Sequence, residues 1–360
     1  MSRFLSSAYR TLTPYTPGEQ PQDKKYIKLN TNESPFPPAP GVIAAVNASE
    51  AMDLRLYSDP ELKPLKAQLS ESFQVDVSEV FVGNGSDECL NYAFMAFGED
   101  GFAFPDITYS FYKVIAQLNQ VTTEVKPLRA DFMIDLADYL GPETADGGHA
   151  GIGKNIVIPN PNAPTGIPIS LDAIAALCEA NADHVVMIDE AYVDFGGVSA
   201  LPLVDKYENL LIVQTFSKSR ALAGMRIGFA IGQKKLISYL NDVKFSFNSY
   251  TMNRLTIACG KACVEDRGYF QEITGKIVAT REWTKQKLAE LGFTFPDSKA
   301  NFIFATHKTV PAQELFENLK TAGIYVRYFK KPRIDNYLRI TVGTQAEMER
   351  LVEVLAELVK

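Results

Sequence analysis

The middle of the chain alternates short apolar runs with helix-like stretches, and this alternation limits the possible folds more than any other feature. VFVG (80–83), GFAFP (101–105), NIVIP (155–159), HVVMIDE (184–190) and LLIVQTF (210–216) are apolar at successive positions. Such runs suit strands buried on both faces, as in a parallel sheet covered by helices. After the first of them, Cys89, Leu90, Ala93, Phe94 and Phe97 fall on one face of a helix starting at Ser86. The expected class is α/β, with a large, mostly parallel sheet between layers of helices. MRIGFAIG (225–232) follows the fifth run too closely for a crossover helix, so an antiparallel strand is expected there.

Toward the C-terminus the rhythm changes. NFIFA (301–305), GIYVRYF (323–329) and YLRITVG (337–343) read as strands of a smaller α+β domain, closed by the helix AEMERLVEVLAELVK. At 360 residues the chain is long for one core. The expected division is an N-terminal arm contributing to the small domain (1–40), a large domain (41–260) and a small C-terminal domain (261–360). The large domain should end inside a long helix that starts near Tyr250. The prolines of NESPFPPAP (32–40) point to an extended arm.

Composition removes several classes of function. A net charge of −7 argues against nucleic acid as a general partner. No apolar run is long enough to span a membrane, and MSRFLSSAYR lacks the apolar core of a signal peptide, so a cytoplasmic protein is expected. Cys89, Cys178, Cys259 and Cys263 lack metal-type spacing and read as buried free thiols. His149, His184 and His307 stand in no catalytic or metal-binding frame, so no metal is expected. GHAGIGK (148–154) imitates a phosphate loop, but Asn155 stands where Ser or Thr is required, and a strand follows instead of a helix. The KKPR run (330–333) reads as a solvated loop.

The chemistry concentrates in SKSRALAGMRIG (217–228). A lysine set among small residues, with a serine before it and an arginine eight positions on, suits Schiff-base chemistry. Ser217 and Arg226 offer a hydroxyl and a guanidinium to a phosphate, so Lys218 beside them points to pyridoxal 5′-phosphate. Asp189, at the C-terminal end of the HVVMIDE strand, can hold the pyridine nitrogen protonated, and Tyr192 can donate to the cofactor's phenolic oxygen. The GNGSDE turn places Gly85, Ser86 and Asp87 at a helix start, where backbone N–H groups cradle anions. Tyr109 can stack on the ring, and the amides of NPNAPTG (160–166) can reach O3′. Arg327 and Arg339 can grip an anionic substrate. Taken one at a time, each of these residues is equally consistent with an ordinary cap, core or surface role.

Taken together, LTPY, KLNTNESPFPP, YSDP, GNGSDE, NPNAPTG, IDEAYVDF, SKSRALAGMRIG and LRITVGT occur in the order of one family. Over essentially its whole length the chain resembles the fold-type I PLP-dependent aminotransferases, and among them the histidinol-phosphate aminotransferase group. The resemblance implies that Lys218 binds the cofactor covalently, Asp189 meets the pyridine nitrogen, Tyr192 meets O3′ and Tyr109 stacks on the ring. It gives the phosphate to Ser217, Arg226 and the Gly85–Ser86 turn. It places Tyr57 on the cofactor of a second subunit, which implies a homodimer with composite sites. Arg339 is assigned to the substrate's carboxylate or phosphate, with Tyr15, Asn32 and Arg327 nearby. In one place the chain departs from the family motif: Ala163 stands before Pro164, which leaves Asn162 as the candidate partner for O3′. The implied reaction is histidinol phosphate plus 2-oxoglutarate giving imidazole-acetol phosphate and glutamate. An aromatic aminotransferase or a threonine-phosphate decarboxylase of the same fold stays open as an alternative. A non-catalytic PLP-binding regulator is disfavoured because Lys218 and Asp189 are both present.

Overall fold

A computed structural model describes residues 6, 9, 12–21, 23, 26–47 and 53–360, which leaves most of MSRFLSSAYR outside the described residues. Strand β1 (Ile27–Leu29) is followed by helices α1 (Pro40–Asn47) and α2 (Lys63–Phe73). An alternating series follows: β2 (Val80–Gly83), α3 (Ser86–Phe97), β3 (Phe102–Pro105), α4 (Phe111–Leu118), β4 (Thr123–Lys126), α5 (Ala137–Leu140), β5 (Asn155–Pro159), α6 (Leu171–Ala180), β6 (Val186–Asp189), β7 (Leu210–Thr215) and β8 (Gly228–Gly232). The chain then runs through α7 (Lys234–Phe247), α8 (Arg254–Glu265) and α9 (Arg267–Glu290) into β9 (Phe293–Thr294), β10 (Phe302–His307), α10 (Ala312–Thr321), β11 (Ile324–Tyr328), β12 (Leu338–Thr341) and α11 (Gln345–Leu358).

The large sheet has the order β2-β8-β7-β6-β5-β3-β4. The pairs between β7 and β4 are parallel, while β8 is antiparallel to both β7 and β2. Two antiparallel steps bring β2 back to the common direction, so the C-terminal ends of β2, β3, β5, β6 and β7 share one edge. Residues alternate between two cores, as full burial of both faces requires. Ile156, Ile158, Val186, Ile188, Leu210 and Ile212 face a core shared with α2, α6 and α8. Val157, Met187, Leu211 and Val213 face a second one, shared with α3, α4 and α7.

The small sheet, ordered β1-β11-β12-β10-β9, packs its own core against α10 and α11. Its β1 pairs in parallel with β11, which ties the N-terminal segment to the C-terminal part of the chain. Two arginines bridge the halves. The buried Arg281 of α9 donates to the Phe195 and Ala300 carbonyls at 2.7 and 2.9 Å. Arg333, the last residue of the basic run, meets Asp106 at 3.0 Å and the Leu128 carbonyl at 2.7 Å.

Three details differ from the sequence expectation. The long helix is broken: α8 ends at Glu265, and the Asp266 carboxylate caps α9 by accepting from Tyr269 N–H at 3.1 Å. Pro40 does not prolong the extended arm but opens α1, a position where its missing N–H costs nothing. The edge strand β4, sequence TEVK, carries no long apolar run and is half exposed, so periodicity alone did not reveal it. The four cysteines are buried and free.

Candidate active site

The common edge gathers the predicted residues into a cleft with two lobes. Asp189 is the last residue of β6, and its side chain is buried. Its Oδ2 accepts from the Tyr112 hydroxyl at 2.6 Å, and its Oδ1 from Ala191 N–H at 3.1 Å. Burial pushes the carboxyl up to about 6, against the stabilising pull of those two donors and Lys218.

The far end of this lobe is built for an anion. Gly85 sits in left-handed backbone (φ 89°) just before α3, and a Cβ there would lie 2.5 Å from Arg226 Nη2. Only glycine lets the guanidinium lie this close to the helix start. Arg226 Nη1 donates to Ser217 Oγ at 3.4 Å, and Nη2 lies 3.5 Å from Asp87. Asp87 also accepts from the Tyr109 hydroxyl at 2.9 Å, and burial together with that carboxylate drives the Tyr109 phenol well above its ordinary value. Ser86, Asp87, Ser217 and Arg226 therefore surround one space, at the N-terminus of α3, where helix N–H groups favour an anion.

Lys218, Tyr192, Tyr109, Thr31 and Ala163 form the waist between the lobes. Lys218 Nζ donates to the Thr31 carbonyl at 3.3 Å and lies 5.9 Å from the centre of the Tyr192 ring. The Tyr192 hydroxyl accepts from Asn32 Nδ2 at 2.9 Å, which leaves its own hydrogen free to donate. Asn32 adopts left-handed backbone (φ 56°) and is held by Thr341, which meets it at 3.0 Å through N–H and at 2.8 Å through Oδ1.

The second lobe is lined by Tyr15, Asn30, Arg327, Phe329 and Arg339. Arg327 and Arg339 are register partners across β11 and β12, so both guanidinium groups reach the same face. Arg339 Nη2 donates to the Asn30 carbonyl at 3.0 Å, while its enclosed Nε has no partner. Burial and the neighbouring Arg327 both lower its pKa. Two adjacent cations, one with an unspent donor, suit a doubly charged or bidentate anion.

The family model for aminotransferase class I and II matches residues 24–355. The chain belongs to the class I and II aminotransferases. It is 50% identical to a histidinol-phosphate aminotransferase of Brachyspira hyodysenteriae, covering all of both chains, and 48% identical to one of Clostridium beijerinckii, covering 99% of this chain and 97% of that one. Among solved structures, the histidinol-phosphate aminotransferase of Sinorhizobium meliloti in complex with pyridoxal 5′-phosphate superposes with a TM-score of 0.80. It is 24% identical, covers 92% of this chain and 90% of its own, and bears on the fold alone.

Two predicted residues of this aminotransferase stand apart from the cleft. The buried amide of Asn162 is committed elsewhere: Oδ1 accepts from Thr108 Oγ1 at 3.0 Å, and Nδ2 donates to the Ile107 carbonyl at 3.0 Å. Asn162 is not a lining residue, and the wall at this turn is formed by Ala163 and Pro164. Tyr57 is 80% exposed, stacks on Tyr250 with ring centres 4.5 Å apart, and lines neither lobe of its own chain. Sequence reasoning missed Tyr112, Thr31 and Asn30. Tyr112 left only a weak signal, as a second tyrosine three residues after Tyr109, inside the first turn of the helix that begins at Phe111. The Thr31 carbonyl left none, because a backbone acceptor carries no residue preference.

Proposed function

We propose that this aminotransferase uses pyridoxal 5′-phosphate to move the amino group of histidinol phosphate to 2-oxoglutarate, giving imidazole-acetol phosphate and glutamate. The residues fit that cofactor. Ser86, Ser217, Arg226 and the start of α3 offer an anion site at one end, and a buried carboxylate with no cationic partner, Asp189, waits at the other. Lys218 lies at the waist between the lobes. Bound there, pyridoxal 5′-phosphate supplies an electron-withdrawing ring that takes up the electron pair released at the substrate's amine-bearing carbon. Asp189 would keep a proton on the pyridine nitrogen, the Tyr192 hydroxyl would donate to O3′, and the Tyr109 ring would orient the cofactor. Lys218 Nζ would hold the cofactor between turnovers and, when its amine is free, would carry the proton to and from the reacting carbon.

The single observation behind the substrate assignment is the side-by-side pair Arg327 and Arg339 across the waist from the anion cradle. One guanidinium suffices for a carboxylate, and a second matches a phosphate dianion, so one lobe can serve both glutamate and the phosphorylated amine. Single-turnover conversion of the cofactor with histidinol phosphate, glutamate and phenylalanine tests this. Histidinol phosphate should react fastest, and parity with phenylalanine would replace the assignment with an aromatic one.

The same reading makes the protein a cytoplasmic homodimer divided into an arm (1–40), a large domain (41–260) and a small domain (261–360), with Tyr57 serving the cofactor phosphate of the second copy. The exposed Leu54, Leu56, Tyr57, Phe247 and Tyr250 support a covered apolar face, and no described helix is long and apolar enough to cross a membrane. Mixing inactive Tyr57→Ala and Lys218→Ala proteins should restore activity in hybrid dimers.

A further inference from the structure

Tyr112 is the fully buried residue closest in chemistry to the reacting centre that the reading above leaves without a task. It belongs to the first turn of α4, three residues after Tyr109, and the two rings meet edge to face at 5.5 Å. Phe104 packs on it at 5.9 Å. These contacts leave the ring little freedom, and its hydroxyl ends 2.6 Å from Asp189 Oδ2. We propose that Tyr112 is a positioning residue for the transamination, holding the Asp189 carboxylate ionised and in one orientation so that its remaining lone pairs face the cofactor's pyridine nitrogen. The inference rests on the reading that Asp189 meets that nitrogen.

The groups acting on Asp189 come from several elements. Burial and Asp87, on α3, oppose its ionisation, whereas Tyr112, on α4, the Ala191 N–H and Lys218 favour it. Tyr192 flanks the same space. A phenol that donates to the carboxylate stabilises the charged form, and a phenylalanine in its place cannot. Losing that donor raises the pH at which Asp189 ionises, and a protonated carboxyl no longer holds a pyridinium partner. The penalty should therefore grow as pH falls, whereas a mere packing defect would weaken the site equally at every pH.

The test compares wild type, Tyr112→Phe and Asp189→Asn. In cofactor-free protein, the carboxyl band that Asp189→Asn removes from the infrared difference spectrum should titrate about one pH unit higher in Tyr112→Phe. The equilibrium Kd for pyridoxal 5′-phosphate should rise about threefold near pH 6.5 and change little near pH 8.5. Tyr112→Gln, which returns an N–H donor and covers the case that Tyr112→Phe does not fold, should bring the titration part-way back. An unmoved band, or a loss of affinity equal at both pH values, overturns the proposal while leaving the role of Asp189 intact. Normal cofactor binding and turnover in Asp189→Asn would instead sink the reading beneath it.

Discussion

The two lobes of the cleft are built in different ways. The Asp189 lobe hangs from one sheet: Asp189 ends β6, Ser217 and Lys218 follow β7, and Ser86 follows β2, each within a few residues of its strand. The Arg339 lobe is assembled from separate pieces, with Tyr15 from the N-terminal segment and Arg327 and Arg339 from two strands of the other sheet. Its tie from Arg339 to the Asn30 carbonyl spans 309 positions of sequence. In the proposed function, chemistry common to every substrate belongs to the rigid sheet edge, where parallel strands fix the side chains. Discrimination between substrates belongs to the space where the two sheets face each other.

Four substitutions would break or sharpen that contrast. The largest effect should come from Lys218→Ala. Turnover should fall at least roughly a thousandfold with every donor, because the nucleophile and proton carrier is removed. Borohydride reduction of the wild type followed by peptide mapping should find the pyridoxyl group on Lys218, and a different lysine would displace the waist from the centre of the site. Asp189→Asn comes next. An amide cannot keep a proton on the pyridine nitrogen, and electrostatic stabilisation of this kind is worth ~3 kcal/mol, about a hundredfold in kcat. The loss should be equal for glutamate and the phosphorylated amine, so a donor-dependent loss would blur the division between lobes.

Substitutions in the other lobe should instead separate the donors. Arg339→Ala should lower kcat/KM for both by roughly ten- to a hundredfold, the value of about 1.5–3 kcal/mol for a charged hydrogen bond. Arg327→Ala should penalise the phosphorylated amine more than glutamate, and equal losses would show that the second guanidinium does not read the phosphate.

The smallest effect concerns stability. Glu190, beside Asp189, is buried with Gln214, Ser199 and the Ala200 N–H as partners, and burial raises it to about 7. A carboxyl raised in the folded state stabilises the fold below its unfolded value and loses that contribution as pH climbs through the folded one. Between about pH 4.5 and pH 7 the cofactor-free protein should therefore lose roughly 1–3 kcal/mol through this group. Asp189 adds a change of the same sign that is complete nearer pH 6. Urea unfolding of wild type and Glu190→Gln at both ends of that range checks the sign. The variant should keep more of its stability on the alkaline side.

Much of the sheet-edge lobe could be read from the sequence because its signals are local. Fully apolar runs such as NIVIP mark strands buried on both faces, and a residue at the end of such a run stands at the sheet edge whatever the rest of the chain does. Asp189, Ser217, Lys218 and the Gly85–Ser86 turn were legible for that reason. Helix limits were less so. The break at Asp266 depends on a cap, not on periodicity, and Pro40 could end an arm or open a helix until packing against α8 decided between them.

The remaining features depended on contacts between distant segments. Spacing cannot tell whether Asn162 or Ala163 faces the cleft, because the answer lies in the Ile107 carbonyl and the Thr108 hydroxyl that occupy the amide. Nor can it show that Arg327 and Arg339 stand opposite each other, since the register of β11 against β12 is set by the packing of the small sheet. Sequence by itself determined which elements form and which side chains end them, since strand and helix periodicity arise from near neighbours. Only the tertiary structure decided which of those side chains meet, because hydrogen bonds and like-charge pairs form between groups close in space, however far apart they lie along the chain.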